Sequence, residues 1–320
     1  MPDAVFLDFG STSRDDLDLT RLQAACGSLQ LWPYTTLQQR SQHIGKAEVI
    51  ISNKVMLDAQ LLASMQHQIK LICVAATGTN NVDLSAAQRF RIPVTNVRDY
   101  ASQSVAEHTI ALLFALARQI PAYREVLQQG KWQASPHFCL LDYPITELAG
   151  KTFGIIGYGM LGKATARLAE ALGMQILIAD RLDAVHLRPG RVSLDELLTQ
   201  ADVVSLHCPL NEQTRDLINA QRLRQMKPSA FLLNTARGGL VNEADLLAAL
   251  RSGTIAGAGM DVLEQEPPAA DSLLLQAALP NLLLSPHVAW ASQRARQTLI
   301  DQLADIITAW KQGQLLNAVT

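Results

Sequence analysis

The stretch that most constrains the fold runs over residues 151–180, KTFGIIGYGMLGKATARLAEALGMQILIAD. It opens with a short apolar run at 152–156 and closes with a second one at 175–179, and both are typical of buried parallel strands. Between them, apolar residues recur at helical spacing until Gly173. The stretch therefore predicts a strand, a tight turn, a helix and a second strand, which together form one unit of a parallel sheet.

The turn of this unit carries three glycines in the pattern GxGxxG. The first permits a tight turn, the second lets bare backbone approach a pyrophosphate, and the third lets the helix pack closely on its strand. The helix N-terminus adds unpaired N–H groups and the positive end of the helix dipole. Because the turn lies between a strand and a helix, we interpret it as a dinucleotide-binding site. The expected cofactor contacts in this turn are Gly157, Gly159, Met160, Leu161 and Gly162.

An acidic residue follows at the end of the second strand. Asp180 lies eighteen residues after Gly162, near the ~20 expected for a carboxylate that accepts hydrogen bonds from the adenosine ribose. That carboxylate would repel a 2′-phosphate, so NAD is favoured over NADP. Arg181 weakens this preference, because an arginine beside the acid is able to contact a phosphate if the loop turns.

The composition argues against several classes of protein. A chain of 320 residues suits two domains better than one core. A net charge of −2, with 27 basic residues scattered along the chain, gives no basic patch for nucleic acid or an anionic membrane. The four cysteines show no metal-binding spacing, which favours reduced thiols and a cytoplasmic location. No signal-peptide pattern appears, and the longest apolar run, 110–117, is far shorter than the ~20 residues of a membrane span.

Strand and helix patterns alternate along the first hundred residues. The predicted strands are 5–7, 29–32, 49–51, 71–74 and 93–95, and one of the helices opens near Asp83. This repeat predicts a parallel sheet with helices on both faces, and such sheets bind ligands at the carboxyl ends of their strands. The candidate substrate contacts at two strand ends are Asn53, Lys54, Ala76, Thr77 and Gly78. A plain strand-to-helix turn and a solvated lysine are the alternatives for these positions.

The segment 104–120, SVAEHTIALLFALARQI, is apolar almost all round until Arg118 and predicts a helix that is buried on most sides. A domain boundary or a subunit interface would supply that burial, which favours a homodimer. Glu107 and His108 on this helix are expected to be structural rather than catalytic. Residues 131–144 lack periodicity and predict an irregular arm.

Polar residues also end the predicted strands of the second half of the chain, at 203–206, 231–233, 255–260 and 282–285. The first strand ends at His207, Cys208 and Pro209, which we expect near the cofactor, with Thr214 on the same ligand. A metal site is disfavoured there, because two adjacent ligands lack partners at usable spacing. The next three strands deliver Arg237, then Asp261 with Glu266, then His287. An arginine at a strand end with glycines behind it suits a two-pronged contact with a carboxylate.

Four motifs follow one another in this half, GYGMLG, NTARGGLVN, DVLEQEP and SPHVAW. With them, the whole chain resembles the D-2-hydroxyacid dehydrogenase family. ATGTNNVD, ISNKV and HVAWAS make it most similar to the glycerate dehydrogenases, or hydroxypyruvate reductases, of that family. The resemblance implies an α/β fold in which a Rossmann cofactor domain, 99–287, is inserted into a flavodoxin-like substrate domain, 1–98 and 288–320. It also implies an active site in the cleft between these domains.

The resemblance implies a catalytic triad of Arg237, Glu266 and His287. NADH would deliver hydride to the keto carbon of hydroxypyruvate or glyoxylate, while the imidazolium form of His287 protonates the alkoxide. A free imidazole has a pKa of about 6.5, so a neighbouring carboxylate at Glu266 is expected to keep the ring charged. The implied substrate contacts are Asn53, Lys54, Ala76, Thr77, Gly78, Arg237 and Trp290. The implied cofactor contacts beyond the glycine turn are Thr109, Asp180, Arg181, His207, Cys208, Pro209, Thr214, Thr235, Ala236, Asp261 and His287.

Other functions stay open on the sequence. D-lactate or another 2-hydroxy acid is the alternative substrate. A non-catalytic NAD-sensing protein that binds a partner is the alternative from another class, since one fold hosts many functions, although the chain has no long basic tail. A hydrolase that uses His287 would need a nucleophilic serine, and no GxSxG motif is found.

Overall fold

The structure is a computed structural model that describes every residue from Met1 to Thr320. Its contacts divide the chain into two compact units. Unit 1 comprises Met1–Ala101 and Ala291–Thr320, and unit 2 comprises Ser102–Trp290. Unit 1 is therefore built from the two ends of the chain, and unit 2 is inserted between them. That unit 1 binds the substrate and unit 2 binds the cofactor is a prediction.

Unit 1 is built on a sheet of five parallel strands in the order β2-β1-β3-β4-β5. The strands are β1 (Asp3–Phe6), β2 (Ser28–Leu31), β3 (Val49–Ser52), β4 (Leu71–Val74) and β5 (Val94–Asn96). The helices are α1 (Thr20–Ala25), α2 (Arg40–Ile44), α3 (Ala59–Met65), α4 (Leu84–Arg89) and α12 (Gln293–Lys311). β3 and β4 are buried along their whole length, as expected when helices cover both faces. This strand order is the flavodoxin-like one.

The last residues of the chain cover one edge of the sheet of unit 1. The N–H of Val319 donates to Val94 O at 2.8 Å, and the N–H of Asn96 donates to Asn317 O at 3.3 Å. These bonds pair the exposed edge of β5 with the last residues of the chain, and a covered edge does not recruit strands from other molecules. Helix α12 packs on α1 beside this tail.

Unit 2 is built on a sheet of six parallel strands in the order β11-β10-β9-β8-β6-β7. The strands are β6 (Thr152–Ile156), β7 (Gln175–Ile178), β8 (Val203–Leu206), β9 (Phe231–Asn234), β10 (Gly257–Met260) and β11 (Leu282–Leu284). The helices are α5 (Ser102–Ala117), α6 (Ile120–Gln128), α7 (Met160–Ala171), α8 (Leu194–Gln200), α9 (Ala220–Gln225), α10 (Glu243–Ser252) and α11 (Leu273–Gln276). The strand order reverses between β6 and β8, so their carboxyl ends form the crevice where such sheets bind ligands. The predicted α/β class, with a doubly wound sheet in each unit, is confirmed.

The prediction of one buried helix over 104–120 is wrong at its end. Helix α5 stops at Ala117, Gln119 takes a left-handed φ of 54°, and α6 begins at Ile120 with Pro121 in its first turn. Proline has no N–H to donate and its ring crowds the preceding turn, so it starts a new helix rather than continuing one. Helix α5 packs against α7, β9 and β10. Its burial therefore comes from unit 2 itself.

None of the helices has the length and apolarity that a membrane crossing requires. All four cysteines are free thiols. The cytoplasmic location inferred from their spacing stays a prediction.

Candidate active and cofactor site

The glycine turn joins β6 to α7 through two backbone contacts that leave no room for a side chain. Gly157 has a φ of 98°, and a Cβ there would lie 2.5 Å from the backbone nitrogen of Cys208. A Cβ on Gly162 would lie 2.2 Å from Gly157 O. The first contact brings the ends of β6 and β8 together, and the second holds α7 against its own turn, as the GxGxxG pattern predicts.

The N-terminus of α7 is open to a ligand. Gly159 is the N-cap residue, no side chain caps the helix, and a Cβ on Gly159 would meet no atom within 4 Å. The first N–H groups of a helix lack backbone partners and attract anions. These groups therefore fit the pyrophosphate of a dinucleotide, and no part of the chain competes with it beside Gly159.

The loop after β8 lies against this turn and contains a half-buried histidine. His207 Nε2 is 2.9 Å from Ser205 Oγ, while Nδ1 is buried without a hydrogen-bond partner. Burial lowers the pKa of His207 to about 4, so the ring is neutral at pH 7. The Thr214 hydroxyl donates to Pro209 O at 2.7 Å and thereby closes the loop. No cluster of three or more His, Cys, Asp or Glu side chains in the chain is arranged to hold a metal.

Asp180 follows β7 and is already bonded to its own loop. Its Oδ1 accepts from the backbone N–H of Arg181 and from Arg188 Nε, both at 2.8 Å, and contacts Arg188 Nη2. Its Oδ2 accepts from the backbone N–H of Arg188 at 2.7 Å. The Arg188 guanidinium holds the pKa of Asp180 well below its usual range. The arginine whose side chain bonds this acid is thus Arg188, whereas Arg181, which we expected to weaken the preference for NAD, contributes its backbone N–H.

Arg237 leaves β9 on a turn shaped by Asn234, which the sequence analysis did not single out. Asn234 is fully buried; its Oδ1 accepts from the N–H of Ala236 at 3.0 Å, and its Nδ2 donates to Arg237 O at 2.9 Å. An asparagine that bonds its own backbone two residues on is a recurrent turn former, and this signal was available in the sequence. Arg237 Nη1 donates to Ala236 O at 2.7 Å. A Cβ on Gly238 would lie 1.9 Å from the carbonyl carbon of Leu263, so this glycine lets the turn touch the segment after β10.

Thr235 and Thr109 bond to each other across unit 2. Their Oγ1 atoms are 3.0 Å apart, and Thr109 also donates to Val105 O at 2.8 Å. Thr109 is fully buried, so its hydroxyl ties α5 to the end of β9. A cofactor contact for Thr109 stays a prediction without support from this geometry.

His287 and Glu266 form the central pair of the site. His287 Nδ1 is 2.6 Å from Glu266 Oε2, and Glu266 Oε1 accepts from the N–H of Leu263 at 3.0 Å. About a quarter of the His287 side chain and a third of the Glu266 side chain remain exposed, 27% and 34%. The pair orients the ring through Nδ1 and leaves Nε2 as the nitrogen that is able to exchange a proton with a ligand.

Asp261 holds the loop that carries His287. Its Oδ1 accepts from Ser285 Oγ at 2.6 Å and from the N–H of Val288 at 2.9 Å, and its Oδ2 accepts from the N–H of Ala289 at 2.8 Å. Its backbone oxygen accepts from the N–H of His287 at 2.7 Å. His287 itself has a φ of 54°, a left-handed conformation that residues other than glycine seldom adopt. The loop is therefore fixed at four points by one residue that is 1% exposed.

Ser285 and His108 extend this network. His108 Nε2 is 2.8 Å from Ser285 Oγ and 3.5 Å from Asp261 Oδ1, so α5 also contributes to the position of the loop. Trp290 Nε1 donates to His287 O at 2.9 Å and ends the loop. His108 was expected from the sequence to be structural, while no role was predicted for Ser285, although it opens the SPHVAW motif.

The expected substrate contacts of unit 1 also rest on a buried acid. Asp8 accepts from the N–H of Asn53 at 2.8 Å and from the N–H of Lys54 at 2.6 Å, and Asn53 Nδ2 donates to Ser11 Oγ at 2.9 Å. Burial raises the pKa of Asp8. These bonds fix the loop after β3. Contacts of Asn53 and Lys54 with a substrate stay a prediction.

The other substrate loop of unit 1 follows β4. Thr77 Oγ1 donates to Val97 O at 3.1 Å, and Asn96 Nδ2 donates to Thr77 O at 2.7 Å. Ala76 is buried, Gly78 is half-buried and Thr77 is exposed. The loop is thus held at Thr77 by the end of β5, and its role toward a carboxylate stays a prediction.

The sequence model for the NAD-binding domain of D-isomer specific 2-hydroxyacid dehydrogenases matches residues 110–289. The chain belongs to this family. A glycerate dehydrogenase of Methylorubrum extorquens is 49% identical over 284 residues, which cover 89% of either protein. A hydroxypyruvate reductase of Blautia hydrogenotrophica is 37% identical over 320 residues, 98% of each. The crystal structure of the TT0316 protein of Thermus thermophilus has a TM-score of 0.85 at 32% identity, over 99% of this chain and all of that one. The family resemblance, the oxidoreductase class and NAD as the cofactor are confirmed.

We predict that Asp261→Asn disables the dehydrogenase through the His287 loop. An asparagine amide would face the N–H of Ala289 or Val288 with a donor and leave a buried group unpaired, which costs about 1–3 kcal/mol of unfolding free energy. The displaced His287 would lower kcat by roughly 10²-fold, the scale of a 1 Å misplacement. Chemical denaturation and steady-state kinetics measure both effects, with the exposed Asp271→Asn as the matched control. Wild-type kcat in a folded Asp261→Asn protein would contradict the anchoring role.

Proposed function

We propose that this dehydrogenase interconverts hydroxypyruvate and D-glycerate with NADH, and that it also reduces glyoxylate. The observation that carries the proposal is the His287–Glu266 pair at 2.6 Å, because a paired imidazole is the proton donor that reduction of a keto group needs. The similarity to a glycerate dehydrogenase at 49% identity supports hydroxypyruvate over other 2-keto acids.

The proposed mechanism assigns one task to each group. Bound NADH supplies the hydride to the keto carbon. Arg237 holds the substrate carboxylate with its planar guanidinium and polarises the keto oxygen, as a two-pronged donor does well. His287 gives a proton from Nε2 to the developing alkoxide, and Glu266 orients the ring through its contact with Nδ1. In the oxidation direction the neutral ring accepts the hydroxyl proton at the same nitrogen.

Asn53, Lys54, the backbone of Ala76 to Gly78 and Trp290 are proposed as the further substrate contacts. Support for the loop residues of unit 1 comes from their fixed backbone, since Asp8 holds the N–H groups of Asn53 and Lys54 at 2.8 and 2.6 Å. A preorganised loop loses little entropy when it binds a small acid. Trp290 is held through Nε1 three residues after His287.

The substrate proposal predicts a clear order of rates. Purified protein with NADH is expected to reduce hydroxypyruvate with the highest kcat/KM, glyoxylate less well, and pyruvate and phenylpyruvate poorly. The oxidation of NADH, followed as the loss of absorbance of its reduced nicotinamide, measures the series. Pyruvate as the best substrate would move the assignment to a D-lactate dehydrogenase. Tight NADH binding without turnover of any keto acid would favour the non-catalytic NAD-sensing function.

Arg237 gives the sharpest single-residue test of the mechanism. We predict that Arg237→Lys keeps the positive charge but loses the planar fork, so kcat/KM for hydroxypyruvate falls by roughly 10²-fold or more while NADH binding is retained. Arg215→Lys is the matched control, because Arg215 is exposed and its one ion pair is with Glu264 at 3.1 Å. Equal kcat/KM values for the Arg237→Lys and Arg215→Lys proteins would remove Arg237 from the mechanism.

We also propose that the dehydrogenase is a homodimer that buries the segment after α5. Five large apolar residues of this segment are exposed: Ile120 60%, Leu127 45%, Trp132 50%, Phe138 91% and Leu141 84%. Large apolar groups concentrated in one exposed segment are typical of protein interfaces rather than of free surface. This support replaces the original argument from α5, which unit 2 buries by itself.

The dimer proposal predicts a mass of two chains by sedimentation equilibrium at micromolar concentration. Phe138→Glu is expected to give a single-chain mass, because it places a charge in the apolar interface. Leu275→Glu is the matched control, since Leu275 is 51% exposed on α11 of the same unit. A single-chain mass for the wild-type protein would refute the proposal.

A further inference from the structure

The acid at the end of β7 is enclosed by a loop rich in arginine. We call residues 181–191 the arginine loop; it contains Arg181, Arg188 and Arg191. Both ends of the loop return to β7, because Asp180 N donates to Val192 O at 2.8 Å and Val192 N donates to Ile178 O at 3.0 Å. The loop therefore keeps its arginines near Asp180.

Arg188 is the arginine that pairs with the acid. It contributes its backbone N–H, Nε and Nη2 to the Asp180 carboxylate, with the first two bonds at 2.7 and 2.8 Å. The Asp180 side chain is 1% exposed, whereas the Arg188 side chain is 56% exposed. Arg188 thus covers the carboxylate and compensates its charge, while more than half of its own side chain stays exposed.

A second cation lies beside the glycine turn. The guanidinium carbon of Arg191 is 4.6 Å from the centre of the Tyr158 ring, and Tyr158 is the residue between Gly157 and Gly159. From Asp180 to Arg191 the chain has three arginines against two acids, Asp180 and Asp183, so this segment carries a formal charge of +1. The segment that follows β7 is therefore cationic, although it begins with an acid.

We propose that Arg188 admits a 2′-phosphate at the adenosine ribose, so that this dehydrogenase binds NADPH as well as NADH. A free carboxylate at the end of the second strand favours the ribose hydroxyls and repels a 2′-phosphate, whereas an arginine nearby accommodates that phosphate. Here both groups are present and bonded to each other. With NADH, the ribose hydroxyls donate hydrogen bonds to the Asp180 carboxylate and compete with Arg188 for it. With NADPH, the guanidinium fork of Arg188 turns to the phosphate, whose oxygen geometry it matches.

The alternative is that the ion pair between Asp180 and Arg188 has a purely structural role. Arg188 would then serve only to hold the arginine loop closed, and it would have no preference between the two cofactors. The Asp180 carboxylate is 1% exposed and needs hydrogen-bond donors to replace its hydration, so a structural role is also able to account for the three bonds from Arg188. The two possibilities differ in a measurable quantity, the ratio of the Kd values for NADPH and NADH.

The test is isothermal titration of the whole protein with NADH and with NADPH, without substrate. The wild-type protein is expected to bind both. Arg188→Ala is expected to weaken NADPH binding by about tenfold or more, the size expected for the loss of a charged hydrogen bond, while NADH binds as tightly or more tightly. Arg251→Ala is the control, because Arg251 is an exposed arginine in the last turn of α10. Asp180→Asn is expected to shift the ratio in the opposite direction, toward NADPH.

This inference rests on the proposed function only for the presence of a dinucleotide site. The outcomes of the titration therefore distinguish a failure of the inference from a failure of the proposed reaction. A wild-type protein that binds NADH but not NADPH would overturn the inference. An Arg188→Ala protein that binds NADH, and is therefore folded, with an unchanged ratio would overturn it too. A shifted ratio in a protein that does not reduce hydroxypyruvate would support the inference and contradict the proposed substrate.

Discussion

The buried carboxylate of Asp261 is the interaction on which the rest of the candidate site depends. Removing a carboxylate from water is costly unless hydrogen bonds replace the lost hydration. Here the hydroxyl of Ser285 and the N–H groups of Val288 and Ala289 replace it, and all three belong to the loop around His287. The same bonds that satisfy the acid also hold His287 in its left-handed conformation. The cost of the buried charge and the strain at His287 are therefore offset by one set of contacts, which places the ring where Glu266 reaches Nδ1.

At the cofactor end of unit 2, close backbone contacts rather than side-chain bonds hold the chain segments together. Gly157 and Gly162 let three chain segments approach more closely than any side chain permits. The result is a helix N-terminus with no capping side chain and open space beside Gly159. We propose that the preference between NADH and NADPH is set elsewhere, at the end of β7, where Arg188 bonds to Asp180. A common dinucleotide site can thus change its preference through a loop that leaves the glycine turn untouched.

Much of this architecture was predictable from the sequence, because local chemistry determines it. The apolar runs gave strands such as β3, β4, β6 and β8 within one residue, and Asp83 does cap α4 through the N–H of Ala86. Glu266 and His287 were predicted to belong to one catalytic triad, and they are in contact. The break at Gln119 escaped prediction, although Arg118 and Gln119 end the apolar pattern there and Pro121 signals a new helix.

Features that depend on folded loops were beyond the sequence. Arg188 lies eight residues from Asp180, and nothing in the spacing indicates that the loop curls back to bring them together. The bonds of Asp261 to Val288 and Ala289 use backbone groups, which carry no residue-specific signal. Helix α5 was correctly expected to be buried, but its partners, α7, β9 and β10, lie far along the chain. In each case a distant segment supplies the partner, and spacing along the chain does not report it.

The most direct test of the central claim is to follow the hydride itself. Hydroxypyruvate is reduced with NADH that carries deuterium at both positions of nicotinamide C4, and the product is analysed by chiral chromatography and NMR. The proposed reaction predicts D-glycerate that carries the deuterium at C2, formed in equal amount to the NADH consumed. L-glycerate, or D-glycerate without deuterium at C2, would contradict the proposed mechanism.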